Sequence, residues 1–143
     1  KKTTAVVGGS VKIKSSVKVL GITYKITAIA ANTFKNNKKI TSVTVGSNVT
    51  SIGKSAFEKC KKLKSITLSK NVEDIGKNAF KNCKNLNTIT IKSTKLDVDG
   101  VKKGAFSGIG KKVVVKVPKS KYSAYKKLLR EKGLNKKVKI KKI

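Results

Sequence analysis

Apolar residues recur along this chain at intervals of about 23 residues. The four phenylalanines, spaced by 23, 23 and 26 residues, are Phe34, Phe57, Phe80 and Phe106. Five residues before each phenylalanine stand Ile29, Ile52, Ile75 and Val101, and eight residues before stand Ile26, Val49, Val72 and Val98. Six residues after stand Ile40, Leu63, Leu86 and, displaced by one position, Val113. Self-similarity at a fixed period of this length predicts a repeat architecture.

Each unit joins a strand pattern to a short helical pattern. Residues 63–68 alternate apolar and polar side chains and include β-branched residues, which predicts a strand with one buried face. After Gly76, apolar residues stand at Ala79, Phe80 and Cys83, a spacing that predicts a single α- or 3₁₀-helical turn. One strand and one helical turn per 23 residues is typical of a leucine-rich-repeat coil, which buries its apolar face only against neighbouring coils.

We therefore predict an α/β solenoid of leucine-rich repeats of about 23 residues each. A parallel sheet would form one face, short helical turns would form the opposite face, and a helix would cap the C-terminal end. The whole chain, residues 1–143, is expected to be a single domain. Residues 1–25 would hold a partial first repeat and an extra strand, residues 26–118 four repeats, and residues 119–143 the cap helix and a last strand.

The two ends depart from the repeat. The partial copy aligns with Val43, Val45, Val49 and Ile52 of the next copy through Val11, Ile13, Val17 and Leu20, and residues 22–26 alternate as an extra strand or hairpin arm. Near the other end an amphipathic helix is predicted from Tyr122, Tyr125, Leu128 and Leu129. Its expected N-cap is Ser120 and its expected stop is Gly133. Residues 138–140 are read as the last short strand.

Composition excludes most enzymatic chemistry. The chain has 36 basic and 6 acidic residues, a formal net charge of +30, and no histidine. Without histidine there is no Ser-His-Asp or Cys-His relay and no His-bearing metal site, and six carboxylates leave little material for acid–base pairs or a calcium cage. We expect no enzymatic activity, no metal and no cofactor. No apolar run is long enough for a membrane span, and the sequence does not open with a signal peptide.

Two segments carry a resemblance to a known family. Residues 52–68 (IGKSAFEKCKKLKSITL) and residues 75–91 resemble the repeat IGxxAFxxCxxLxxIxL of BspA-type leucine-rich-repeat surface proteins. The resemblance covers roughly residues 11–118, and residues 117–134 resemble the closing segment of such arrays. The last unit departs from the pattern by a three-residue insertion around residues 97–100 and by Ile109 in place of cysteine. The resemblance implies an extracellular, cell-surface location and adhesion to a protein or glycan of a host or neighbouring cell.

The two cysteines occupy one column of the repeat, three residues after Phe57 and Phe80. In stacked coils Cys60 and Cys83 would be about one strand spacing apart, ~5 Å, which permits a disulfide by Cα distance. The same column holds Asn37 and Ile109, so a small or apolar residue suffices there. We expect two buried free thiols, with a disulfide as the alternative.

Two sets of outward-facing residues are candidates for binding. The first is a hydroxyl-rich strand face made of Ser42, Ser65, Thr88, Thr44, Thr67 and Thr90. The second is a column of lysines that follows each helical turn, made of Lys38, Lys39, Lys61, Lys62 and Lys84. Each set also has a simpler interpretation, solvated β-formers in the first case and a soluble basic surface in the second.

Three functions remain open from the sequence. The first is a non-enzymatic adhesion or ligand-binding module, as the family resemblance implies. The second is binding of a polyanion, such as an anionic envelope polymer or a glycan, because the positive charge attracts polyanions. The third is a structural spacer or assembly element that self-associates through an exposed solenoid end. Sequence-specific nucleic-acid binding is not expected, because the chain has one arginine and few aromatic residues.

Overall fold

The computed structural model describes residues 9–143, so the part of the predicted first unit that falls on residues 1–8 lies outside the described residues. The strands are β1 (Gly9–Ile13), β2 (Ser16–Val19), β3 (Ile22–Lys25), β4 (Ala28–Ile29), β5 (Ile40–Val45), β6 (Ser51–Ile52), β7 (Ser65–Leu68), β8 (Asp74–Ile75), β9 (Thr88–Ile91), β10 (Val114–Val117) and β11 (Lys139–Lys142). A 3₁₀ helix (Lys119–Lys121) leads into helix α1 (Tyr122–Glu131).

One parallel sheet of six strands forms a face of the molecule, in the order β1-β5-β7-β9-β10-β11. Its register places equivalent repeat positions side by side, with Val43 beside Ile66, Ile66 beside Ile89 and Ile89 beside Val115. A second, three-stranded parallel sheet runs β4-β6-β8 along the coils. Because each coil contributes one strand to the large sheet, the predicted solenoid of leucine-rich repeats is confirmed.

The four phenylalanines form a continuous stack through the interior. Adjacent ring centroids lie 5.1, 5.4 and 5.6 Å apart, with interplanar angles of 15°, 6° and 16°. Most of the strand and turn positions predicted to be apolar are buried in the same core as this stack, including Ile40, Leu63, Leu86 and the displaced Val113. The ring separation is close to the ~4.8 Å spacing of neighbouring strands, so the rings repeat at nearly the pitch of the backbone.

The predicted helical turns opposite the sheet are wrong in conformation. Each such segment is a series of hydrogen-bonded turns, in which the N–H of Ala56 donates to Gly53 and that of Cys60 donates to Phe57. The alternate N–H groups donate to the next coil instead, as Phe57 does to the Ala79 carbonyl oxygen at 2.8 Å. An α-helix would use these groups within the segment. Backbone N–H groups that would donate within an α-helix therefore donate to the neighbouring coil.

A left-handed backbone conformation makes this alternation possible. Positive φ recurs two residues before and two residues after each phenylalanine, at Asn32, Asn36, Ser55, Lys59, Asn78, Asn82, Gly104 and Gly108. Half of these positions hold asparagine, which tolerates positive φ better than most residues. At Gly108 a Cβ would also stand 2.1 Å from the Asn82 side-chain oxygen, so a larger residue there would require that side chain to move.

The partial copy at the N-terminal end is correct for its strand and wrong beyond it. Val11 pairs with Val43 and Ile13 with Val45, as predicted. Val17 and Leu20 do not enter the core, because β2 turns back as an antiparallel hairpin with β3. The hairpin arm predicted for residues 22–26 is confirmed, since β3 covers residues 22–25.

The insertion in the last unit moves one core position. Val98, predicted to align with Val72, is exposed, and Leu96 is buried in its region of the coil. The Asp97 side chain accepts hydrogen bonds from the N–H groups of Asp99 and Gly100 and so shapes the inserted loop. The three extra residues lift Val98 out of the stack.

Helix α1 covers the last coil as predicted, through the buried side chains of Tyr125, Leu128 and Leu129. Its first residue follows a 3₁₀ helix, and no side chain caps it, so the N-cap predicted at Ser120 is wrong. At the other end Gly133 has a φ of 108° and its N–H donates to the Arg130 carbonyl oxygen, while the N–H of Leu134 donates to Leu129. This pair of bonds is a Schellman motif, which confirms Gly133 as the helix stop.

The Tyr125 hydroxyl fastens the cap to the inserted loop. It donates to the Ser93 carbonyl oxygen at 2.9 Å and accepts from the N–H of Leu96 at 3.0 Å. Burial raises the pKa of this hydroxyl, which therefore stays protonated and available as a donor. Arg130 holds the segment that leads to β11, donating to the carbonyl oxygens of Asn135 and Val138.

We expect Phe80→Ala to lower the free energy of unfolding by about 3–5 kcal/mol, because it removes a fully buried ring from the middle of the stack. Phe34→Ala is the matched control, since Phe34 has a ring neighbour on one side only among the described residues and should cost less. Urea denaturation followed by circular dichroism measures both. Equal stabilities of Phe80→Ala and wild type would contradict the stack.

We also expect Tyr125→Phe to lower the free energy of unfolding by about 1–3 kcal/mol, because it leaves two buried backbone groups without their partner. Tyr122→Phe is the control, as the Tyr122 hydroxyl makes no hydrogen bond to any described residue. Thermal denaturation of the two variants should separate them by several degrees. If Tyr122→Phe lowered the stability as much as Tyr125→Phe does, the proposed role of the Tyr125 hydroxyl in holding the cap would be contradicted.

Candidate functional site

The hydroxyl residues of the sheet form two straight rows across adjacent strands. Register pairs Ser42 with Ser65 and Ser65 with Thr88 in the first row. The second row pairs Thr44 with Thr67 and Thr67 with Thr90. Five of these six residues are half-buried, and Thr44 is exposed. All six residues predicted from the sequence are thus brought together on the outer face of the sheet.

Lysines bound this hydroxyl face at both ends. Strand β1 places Lys12 beside Thr44, and β10 places Lys116 beside Thr90. Strand β11 then adds Lys139 beside Val114 and Lys141 beside Lys116. Four strand spacings separate Lys12 from Lys116, or about 19 Å. We name the two rows with these flanking lysines the hydroxyl–lysine face.

The flanking lysines were not among the predicted site residues. Lys12 could have been predicted from the sequence, because it lies between Val11 and Ile13, which align with the strand residues of the next coil. No repeat signal marks Lys139 and Lys141, because β11 belongs to the cap and not to the 23-residue pattern. Ser10 is also missed; it extends the first row and lies 2.6 Å from Ser42, oxygen to oxygen.

The predicted lysine column lies along the edge of the sheet where the strands begin. Lys38, Lys39, Lys61, Lys62 and Lys84 are all exposed. Neighbouring coils meet here, since the Asn85 side chain donates to the Lys61 carbonyl oxygen at 2.6 Å. The column continues into a cleft of about 300 Å³ lined by Lys111, Lys112, Val113, Val114, Lys137 and Lys139. We name this set the lysine edge.

The positive charge of both surfaces is uncompensated among the described residues. Two ion pairs occur there, Lys35 with Glu58 at 3.4 Å and Lys95 with Glu73 at 3.1 Å, and neither includes a lysine of the two surfaces. Hydrogen bonding from Ser55 and the charge of Lys35 lower the pKa of Glu58. The Glu58 carboxylate therefore stays ionised and interacts within the turn segments. The lysine side chains of the two surfaces remain available for an anionic ligand.

The cysteines are buried free thiols, which confirms the preferred prediction over the disulfide. Cys60 donates to the Phe34 carbonyl oxygen at 3.0 Å, and Cys83 donates to that of Phe57 at 2.9 Å. The neighbouring Cys60 thiol and burial both raise the pKa of Cys83. Cys83 is therefore a neutral thiol and a poor nucleophile and metal ligand. The hydrogen bond with Cys83 lowers the pKa of Cys60, but this thiol is also fully buried. The pair therefore belongs to the core.

Within residues 9–143, no group of three or more metal-ligating side chains lies close enough together to hold an ion. In the same part of the chain, no helix has the length and apolar character needed to cross a membrane.

Comparison with known proteins identifies the repeat. The model of the BspA type leucine rich repeat region matches residues 11–135 in six copies. A leucine-rich repeat protein from Bacteroides capillosus is 34% identical, covers 67% of this chain and 70% of its own, and superposes with a TM-score of 0.57. A leucine rich cell surface protein from Faecalibacterium prausnitzii is 25% identical over 73% of this chain, with a TM-score of 0.46. This chain spans only 37% of that second protein. No curated protein matches the sequence.

We expect neither thiol to react with a thiol reagent in the native protein, because both are fully buried and hydrogen-bonded. Two thiols should react once non-reducing denaturant is added. A count by absorbance with dithionitrobenzoate measures both states. An unfolded protein with no reactive thiol would establish a disulfide and overturn this result.

Proposed function

Because this chain belongs to the family of BspA-type leucine-rich-repeat proteins, we propose that it is a non-enzymatic, ligand-binding module of a bacterial protein displayed on the cell surface or secreted. Its function is adhesion to a polymer of another surface. The ligand class that suits the chain best is an anionic glycan or an anionic envelope polymer. The net charge of +30 supports an anionic ligand.

One observation carries this proposal, the hydroxyl–lysine face. Serine and threonine hydroxyls both donate and accept hydrogen bonds, as sugar hydroxyls do. Lysines at each end, about 19 Å apart, suit the sulfate, phosphate or carboxylate groups of a linear polymer that crosses the strands. The face is regular, with hydroxyl rows that are mostly half-buried and flanking lysines that are exposed, so a ligand would meet several equivalent contacts and not one pocket.

The chemistry of the face predicts modest affinity with strong salt dependence. The central hydroxyl rows contain no aromatic residue, so the usual hot-spot anchors are absent from them. Lysine is a flexible, strongly hydrated point charge that binds anions without the bidentate geometry of arginine. Binding would therefore depend on many weak contacts and on the release of counterions from the polymer.

The lysine edge is the competing surface. Its lysines are exposed, and the cleft at its end brings Lys111, Lys112, Lys137 and Lys139 around one volume. This edge has no row of hydroxyl groups comparable to the sheet face. It would attract any polyanion by charge alone and would show little preference among polymers of equal charge density.

Two triple variants of equal charge loss distinguish the surfaces. We expect Lys12→Gln, Lys116→Gln and Lys141→Gln together to weaken heparin binding about tenfold or more near 50 mM salt, because they remove the flanking charges of the face. The matched control, Lys38→Gln, Lys61→Gln and Lys84→Gln, should weaken it less. The slope of log affinity against log salt should fall by about 2–3 in the first variant, by analogy with phosphate contacts. Titration calorimetry at several salt concentrations measures both quantities.

A hydroxyl variant tests the centre of the face. Thr67→Val keeps a β-branched side chain of the same shape and should leave the fold intact. It should weaken heparin binding several-fold without changing the salt slope, since it removes no charge. If the two lysine triples lose affinity equally and Thr67→Val binds as wild type does, attraction is by charge alone and the sheet face is not the binding site.

A further inference from the structure

Exposed apolar side chains are concentrated in the hairpin of β2 and β3. Within residues 9–143, seven large apolar side chains are exposed, and five of them belong to this hairpin: Val17, Val19, Leu20, Ile22 and Tyr24. Register pairs Val17 with Tyr24 and Val19 with Ile22, so these four lie on one face of the hairpin. The opposite face carries Ser16, Lys18, Thr23 and Lys25. An apolar face of this kind on a folded domain marks an interaction surface.

Leu20 at the tip of the hairpin is costly for the fold. Leu20 and Gly21 form a two-residue turn, with φ of 49° and 78°, which asparagine and glycine usually occupy. Leucine is unfavourable in this conformation, and here its side chain is 97% exposed, so packing within the chain does not offset the strain. The described residues thus provide no packing within the chain that favours a leucine at this position.

An apolar groove lies at the opposite end of the solenoid. It has a volume of about 450 Å³ between the inserted loop and α1, with Leu96, Val98, Ala124 and Leu128 among its lining residues. Val98 is a sixth exposed apolar side chain, 57% exposed at the rim. The groove is large enough for the tip of a hairpin with one leucine side chain.

The charges of the hairpin and the groove are complementary. Residues 9–57 contain no carboxylate, and the hairpin carries Lys18 and Lys25. The groove is lined by Asp97 and Glu131, two of the six acids of the chain, together with Lys127. Neither acid forms an ion pair within the described part of the chain. One oxygen of Asp97 already accepts the N–H groups of Asp99 and Gly100, so its other oxygen and the Glu131 carboxylate are the groups that can meet lysines from a second molecule.

The two surfaces lie on the same edge of the solenoid. The hairpin follows β1, the sheet strand of the first coil, and the inserted loop follows β9, a sheet strand near the other end. Both segments therefore leave the sheet at the edge where strands end. Two copies stacked along the solenoid axis would bring the hairpin of one copy to the groove of the other.

We propose that this protein assembles head to tail, with the hairpin of one copy docked in the groove between the inserted loop and α1 of a second copy. Leu20 inserts beside Val98 and Leu128, and the hairpin lysines face Asp97 and Glu131. The contact is heterologous, so each copy offers both surfaces and an open chain forms unless the rotation closes a ring. The assembly is separate from the proposed glycan binding; it leaves the hydroxyl–lysine face free and repeats it along the chain.

Salt should affect the two activities in opposite directions. Each copy carries a formal charge of +30, so long-range repulsion opposes assembly at low ionic strength. At 0.5–1 M salt the screening length falls to roughly 3–4 Å, and the apolar contact remains. Assembly should therefore grow from low to high salt, whereas polyanion binding should weaken. Failure of one activity is thus distinguishable from failure of the other.

Sedimentation velocity of the 143-residue chain tests the proposal. At about 0.5 M salt the weight-average mass should rise with concentration for wild type. Leu20→Asn should raise the dissociation constant at least tenfold. At low salt, where both chains are monomeric, it should melt at the same or a higher temperature than wild type, because asparagine suits the turn. Val98→Ser should weaken assembly from the other side. Ile143→Ser is the matched control, since Ile143 is 54% exposed and lies outside both surfaces; it should assemble as wild type does.

Mixing the variants gives the sharpest result. Leu20→Asn retains an intact groove, and Val98→Ser retains an intact hairpin, so each alone should remain monomeric. An equimolar mixture should form a one-to-one dimer and stop there, because the remaining hairpin and groove are the altered ones. A reciprocal two-fold dimer would also pair in the mixture, but its wild-type chain would stop at the dimer, whereas head-to-tail assembly continues beyond it.

Four results would overturn the proposal. They are a wild-type chain that stays monomeric at high concentration and salt, a Leu20→Asn variant that assembles as wild type does, a mixture that forms no dimer, and a Leu20→Asn variant that is less stable than wild type at low salt, where both are monomeric. The last would mean that the hairpin tip packs within its own chain. A wild-type monomer that sediments with vesicles of anionic phospholipid, and loses this with Leu20→Asn, would assign the hairpin to a membrane surface instead.

Discussion

The stacking of one coil on the next at the spacing of neighbouring β-strands is the constraint on which this structure depends. A single coil cannot bury its phenylalanine and its strand residues alone; the next coil supplies the other side of the core. The phenylalanine rings repeat at 5.1–5.6 Å because the backbone that carries them repeats at nearly that distance. The turn segments give alternate N–H groups to the next coil, and the thiols of Cys60 and Cys83 donate to the preceding one. Packing and hydrogen bonding thus impose the same register.

The same register acts on the outer surface. Residues at equivalent positions stand about one strand spacing apart, so single serines, threonines and lysines become rows. Two lysines ~5 Å apart repel by roughly 0.8 kcal/mol in water before screening. Burial of one phenylalanine side chain contributes ~1.5–3 kcal/mol. The stabilisation from burying one phenylalanine thus exceeds the repulsion between a pair of neighbouring lysines, so the fold remains stable with rows of lysines on its surface.

The first and the last described coils differ in what covers them. At the C-terminal end α1 covers the last coil, and the Tyr125 hydroxyl fastens it to the inserted loop. At the other end the chain leaves the stack as a hairpin whose apolar face is exposed. The difference places an apolar projection and an apolar groove on one molecule. A solenoid whose ends differ in this way has a direction, and contacts between its copies inherit that direction.

The sequence by itself determined the repeat, the sheet register, the buried columns and the hydroxyl rows. It could do so because stacking coils repeats a linear pattern in space, so residues 23 positions apart become neighbours. The turn segments could not be predicted, because Ala79 and Phe80 have the spacing of a helix, and only the neighbouring coil decides where their N–H groups donate. Val17, Leu20 and Val98 fit the apolar columns, yet they are exposed where the hairpin and the insertion leave the stack. The lysines of β11 joined the candidate site only when the cap strand paired with β10. Periodicity specifies contacts between repeats; contacts of segments outside the period depend on tertiary structure alone.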